Sequence, residues 1–296
     1  MIRRPPRSTQ GVSSAASMCI RDSIRYNVLR WTSSPNPPFG GYGPSFVNPK
    51  TGQILGADIM LEYVYFTNRV KYEELHRTFD SDSEFKLDPI NTCLAGDYLH
   101  QGNLFGMSVL GSVDGFSQLE QHRLIYESLV KLTLHEVGHT LGLNHNFYAS
   151  HLHSFKNIHD RIITEPLGLT SSDMDYVSAN VNDKPKHNGH FHSTTPGPYD
   201  VWAIAFGYTP LLESPTDEKE RIELLLSQST KNELGFGNDA DDMRSPGKGI
   251  DPRINVSDMS ADPVAYAQQR MDIVRSLYPG LKKRYERPGE SYHAFT

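Results

Sequence analysis

The stretch His135-Glu136-Val137-Gly138-His139-Thr140-Leu141-Gly142-Leu143-Asn144-His145 decides how this chain is read. Its pattern is H-E-x-x-H-x-x-G-x-x-H. On a helix, residues four apart differ by about 40° in azimuth and about 6 Å in height. His135 and His139 therefore leave one helix face and can grip one ion. Zinc takes imidazole nitrogen at about 2.0–2.1 Å, and catalytic zinc keeps three protein ligands and one open position. Glu136 is placed to take a proton from water rather than to bind the metal. Gly142 has no Cβ and can adopt the left-handed conformation that stops a helix. The chain then turns and returns His145 as a third ligand. The expectation is one Zn2+ ion on His135, His139 and His145, with Glu136 as the catalytic base and Gly142 as a structural residue of the site.

The flanks agree. Ser117-Gln118-Leu119-Glu120 fits a capping box. Leu119, Ile125, Leu129, Leu132 and Leu141 recur at mostly helical intervals, and no proline interrupts 117–142. One long helix is predicted over about 118–141.

A second local feature follows 29 positions after His145, at Ser172-Asp173-Met174-Asp175-Tyr176. Together the two stretches resemble the metzincin clan of zinc peptidases, in which a tight turn carries a methionine beneath the zinc. The resemblance implies that Met174 floors the three histidines. Some branches of the clan use a tyrosine two residues after that methionine to bind zinc or steady the transition state. Tyr176 falls there, and a packed core tyrosine with a bonded hydroxyl is the alternative.

Further segments resemble one branch, the large bacterial zinc-dependent metalloproteases with a Met-zincin domain. These are residues 24–31, Gly41-Tyr42-Gly43-Pro44, Thr51 to Ile59, Thr195 to Ile204, and Gly249 to Arg253. The similarity covers most of residues 24–296. Members of that branch are much longer, so the chain reads as a fragment whose opening strand and helix are missing. The fold class implied is α+β: a twisted mixed sheet packed on a long zinc-binding helix, with a helical C-terminal extension. The expected organisation is a catalytic domain over 24–210 and a mainly helical extension over 211–296.

Residues 1–23 are Arg- and Ser-rich with a single acid, Asp22. They read as translated adapter sequence rather than a transit peptide, and they are left out of the fold. The net charge of −6 argues against nucleic acid as the main partner. No run approaches the roughly 18 consecutive apolar residues of a membrane helix. A secreted or periplasmic address follows only from the resemblance. Of the two cysteines, Cys19 lies in the leader. Cys93 reads as a buried small residue rather than a reactive or zinc-switching thiol.

Along the rest of the chain, residues 26–31 read as a strand and Ile54 to Phe66 as one long or two short strands. Residues 94–112 read as helical. Pro198 suits a first helical turn ending near Gly207. Helices are also predicted at about 216–229 and about 262–278, the latter stopping before Pro279-Gly280. Residues 146–194 read as a long polar region. Its histidines, His151, His153, His187, His190 and His192, are read as solvent-facing rather than as a second metal site. Asn238 to Asp242 reads as a solvated acidic turn rather than a calcium loop.

The function expected is zinc-dependent endopeptidase activity on a protein or peptide substrate. The extended substrate would lie against an edge strand within 54–66 by strand addition. The alternative is a catalytically silent module of the same fold that binds a peptide or glycan. A purely structural zinc site fits less well, because such sites are closed by four protein ligands and often use cysteine.

Overall fold

The structure is a computed structural model, and it describes residues 26–33, 40–63, 93–112, 118–182, 189–243, 249 and 251–285. The leader, the capping residue Ser117, His187 and residues 64–66 lie outside the described residues.

Four strands form the sheet: β1 (Val28–Thr32), β2 (Gly41–Tyr42), β3 (Ser45–Val47) and β4 (Ile54–Glu62). β4 is β-branched and apolar enough to be buried, and Ala57, Ile59 and Leu61 on it are each at most 7% exposed. β1 pairs with it in parallel, while β2 and β3 run antiparallel along its other side. This narrows the expected substrate edge within 54–66. β4 is the central strand, and its residues 58–62 have β1 on one side and the β2–β3 side on the other, so that stretch cannot add a peptide strand. The sequence does not show this, because the pairing of residues 28–32 with 58–62 is non-local.

α1 (Ala95–Leu110) and α2 (Gln118–Thr140) pack on this sheet and on each other. The central core joins Ile59 and Leu61 from β4, Leu99 from α1 and Leu132 from α2 with Phe147, Tyr176 and Ile254. α2 ends where the sequence places the stop. Gly142 has φ +89°, and Leu143 N–H reaches back to the Gly138 carbonyl. A short helix α3 (Arg161–Thr164) follows a 3-10 turn at Ala149–Leu152. The later helices are α4 (Pro198–Tyr208), α5 (Pro215–Ser227) and α6 (Pro263–Tyr285).

α6 departs from the expectation by continuing through Pro279. A proline removes one backbone donor and crowds the carbonyl four residues earlier. Arg275, Tyr278 and Pro279 are all exposed, so water can satisfy the released carbonyl.

The region 146–194, described except at 183–188, is a second departure. It is polar, yet the fold buries most of 146–153 and 168–182 and satisfies them through distant carbonyls and side chains. His151 Nε2 bonds Arg253 O at 3.1 Å, and His153 Nε2 bonds Gly168 O at 2.8 Å. His192 is wholly buried against Asn103 Oδ1 at 3.2 Å. These histidines are structural groups rather than solvent-facing ones, because their partners arrive from elsewhere in the chain.

A pH dependence follows from His192. Burial, and then the Lys131 charge, hold its imidazole down to about 3 from an ordinary value of 6.5. The unfolded chain therefore binds a proton that the folded one refuses between those values. Stability contributed by neutral His192 is full above pH 6.5 and declines as pH falls towards 3. In His192→Gln, the unfolding free energy should fall less steeply over that window, by about 1.4 kcal/mol per pH unit. Denaturant titrations of both proteins at several pH values measure it, and equal slopes would remove His192 as a source.

Candidate metal centre

The site is built on the last two turns of α2 and the segment after it. His135 is fully buried, and Glu136 beside it is also fully buried. Each histidine has Nδ1 tied to an oxygen acceptor. His135 Nδ1 donates to Asp173 O at 2.7 Å, His139 Nδ1 to Leu143 O at 3.1 Å, and His145 Nδ1 to Asp239 Oδ2 at 2.7 Å. A carbonyl or carboxylate oxygen can only accept, so the proton of each neutral imidazole sits on Nδ1. All three Nε2 atoms then carry lone pairs. His139 Nε2 and His145 Nε2 face each other at 3.1 Å. Two such lone pairs in contact repel unless a cation lies between them.

Electrostatics point the same way. Burial, then the neighbouring His139 and His145, hold His135 well below its ordinary range. Burial, then His145, lower His139 to about 4. Both imidazoles are thus neutral at pH 7, the state a metal requires. Burial pushes the Glu136 carboxyl up to about 8, and its Oε2 has no hydrogen-bond partner among the described residues.

The turn at 172–176 lies directly beneath. Met174 is fully buried, and its Sδ fills the space that a Cβ on Gly138 would occupy. The turn is fixed by Asp200 at the start of α4, whose carboxylate accepts from Asp173 N, Gly197 N and the Ser172 hydroxyl. Lys131, one turn before His135 on α2, is 2% exposed and donates to both Asp173 O and Asp173 Oδ1. Tyr176 closes the turn beside the histidines. It is 3% exposed and stacked on Tyr98, and its hydroxyl reaches the centre. That oxygen accepts from Leu94 N at 3.0 Å and lies 2.8 Å from His145 Nε2.

Two residues here were given other roles by the sequence reading. Asp239 belongs to the acidic turn read as merely solvated, yet it orients His145 from 94 positions away. Cys93, read as a small packing residue, has its sulfur 3.3 Å from His135 Nε2. Cys93, His135, His139 and His145 form one group that could hold a metal ion, with ligand atoms all within 4.8 Å of one another.

The Met-zincin family model matches residues 117–296, more than half of the chain. This chain belongs to the Met-zincin family. The match covers α2, all three histidines, Met174 and every later helix. No curated protein and no solved structure matches the chain. Membership implies zinc and a zinc metalloprotease fold, and the mixed sheet on a long helix agrees with it. The donor set fits zinc on its own chemistry, with converging nitrogen lone pairs, one thiol sulfur and an unpartnered buried carboxylate oxygen alongside. Among the described residues of this Met-zincin, no helix is long and apolar enough to cross a membrane.

Proposed function

We propose that this Met-zincin is a zinc-dependent endopeptidase, with His135, His139 and His145 holding the ion and Glu136 acting as the general base. One observation carries the reading. Three imidazole lone pairs converge with their protons tied away on the outer side, next to a buried carboxylate with a free oxygen. Bound zinc supplies a Lewis acid that polarises a peptide carbonyl and acidifies water.

The chain's own groups divide the remaining work. Glu136 takes a proton from the attacking water and returns it to the leaving amine; the value of about 8 set by burial lies near the operating range of such a group. The Tyr176 hydroxyl, held by the Leu94 N–H, is a donor positioned for the charge that develops on the carbonyl oxygen. Asp173 O, Leu143 O and Asp239 keep the imidazoles oriented. Gly142 turns the chain so that His145 returns, and Met174 floors the site.

The substrate edge moves from β4 to β2 and β3. These strands have no partner beyond β4 among the described residues. Gly41 and Gly43, at and just after β2, lie directly against Glu136. A peptide added along this edge passes the carboxylate.

The test is digestion of a mixed peptide library by zinc-loaded protein, read by mass spectrometry. Cleavage is expected to vanish with a chelator and to return when zinc is restored. A folded protein that holds zinc stoichiometrically and cuts nothing would transfer the assignment to a silent binding module.

A further inference from the structure

We propose that Asp175, Asp258 and Ser150 form a second cation site, built from other residues than the three-histidine centre, that takes a hard divalent ion of the calcium type. Three segments meet there: the turn that carries Met174, the 3-10 turn at Ala149–Leu152 and the loop before α6. Ser150 N donates to Asp175 Oδ2 at 2.9 Å. Ser260 N donates to Ser150 O at 3.0 Å, and Ser257 N to Tyr176 O at 2.9 Å. Asp258 lies between those two serines on the loop and is 8% exposed.

The inward-facing oxygens lack partners. Both carboxylate oxygens of Asp258 and Asp175 Oδ1 are buried with no hydrogen-bond partner among the described residues. Ser150 is 1% exposed, and its hydroxyl adjoins Asp258 without a well-directed hydrogen bond. That hydroxyl is a neutral oxygen ligand beside two acids. Buried polar atoms are nearly always satisfied, and buried carboxylates are paired or bind a metal. The two acids also repel: after burial, the Asp258 charge does most to hold Asp175 above the usual carboxylate range. The nearby cations are engaged elsewhere. Lys131 donates to Asp173 O and Oδ1, while Arg270 donates to Ala179 O and lies over the Phe105 ring at 3.6 Å.

The chemistry of the donors selects the ion. All are oxygen, with no nitrogen or sulfur among them, which suits a hard cation rather than zinc. Two carboxylates balance a divalent charge. Calcium accepts an irregular set of carboxylate, neutral oxygen and water ligands, whereas magnesium demands a regular octahedron. A pocket of about 450 Å³ lined by Asp258, Ser178 and Tyr266, among others, supplies an entry path and room for water ligands. The ion would tie the turn between Met174 and Tyr176 to the segment before α6 and so brace the floor of the three-histidine centre.

The test titrates calcium chloride into zinc-loaded protein in calcium-free buffer by calorimetry, with Tm read in parallel. One Ca2+ per chain is expected, and Tm should rise by about 5–10 °C once calcium exceeds Kd a hundredfold. Magnesium chloride should bind more weakly. Asp258→Asn should keep its zinc and lose both the calcium heat and the Tm shift. Ser150→Ala, which removes only the neutral ligand, should raise the calcium Kd about tenfold and serves if Asp258→Asn folds poorly. No heat and no shift from folded, zinc-loaded parent at about 10 mM calcium, above the weakest range of calcium modules, would overturn the site and leave the two acids sharing a proton. Calcium binding unchanged in both variants would overturn the assignment of these residues. Zinc content of the same samples keeps either outcome apart from a failure of the three-histidine centre.

Discussion

Glu136→Gln is expected to lower kcat about 10²–10⁴-fold while zinc content and KM stay close to those of the parent. Glutamine keeps the volume of a side chain that is fully buried between His135 and the sheet edge at Gly41. It can still donate and accept hydrogen bonds, but it cannot take up a proton near neutrality. The three Nε2 atoms and their anchors are untouched, so the ion should remain. In free-energy terms the loss is about 2.7–5.5 kcal/mol of transition-state stabilisation. Steady-state kinetics on a fluorogenic peptide, with metal analysis of the same sample, measures both quantities. Loss of zinc along with activity would place the carboxylate among the ligands. Chelator-sensitive turnover at the parent's rate would remove it as the base.

Lys131→Met should destabilise the fold by about 3–5 kcal/mol at pH 8, the range for breaking a buried ion pair from one side. Lys131 and Asp173 are exposed by only 2% and 4% at their side chains, so solvent screens the pair little. Methionine fills most of the space but leaves the Asp173 carboxylate buried without its cation. Burial already raises Asp173 to about 6 even with Lys131 present. Its folded value lies above the unfolded 3.8, so the group costs stability above about pH 6 and this cost disappears as it protonates. The variant's deficit should therefore shrink between pH 8 and pH 5. Urea unfolding at the two values tests this, and a deficit below about 1 kcal/mol at both would show that the pair contributes little. The same substitution should weaken zinc binding about 10–100-fold, because Asp173 O also orients His135. That effect separates Lys131 from an ordinary core residue.

These two side chains stand five positions apart on one helix, yet only one of them announced its role. The helix over 118–140 was legible because its hydrogen bonds are local and its apolar residues repeat with its own period. The spacing of His135, Glu136 and His139, and the stop at Gly142, are likewise properties of a few consecutive residues. Met174 was legible through resemblance, since nothing in its immediate neighbours dictates a floor beneath an ion. Lys131 carried no signal, because a lysine every few residues is ordinary on a helix until a buried aspartate from 42 positions away is packed against it.

What the sequence by itself determined is thus the core of the candidate site: three imidazoles, one carboxylate and a helix to set their spacing. The tertiary structure alone decided which neighbours complete that chemistry. It brought Asp239 to His145, Cys93 to His135 and the Leu94 N–H to Tyr176. It made β4 central, with β1 at one edge and β2 and β3 at the other among the described residues. It buried His151, His153 and His192 where a polar segment seemed to call for solvent. The physical reason is range: helix periodicity and ligand spacing are fixed by covalent geometry over a few residues, whereas a buried polar group is satisfied by whichever partner packing delivers from elsewhere in the chain.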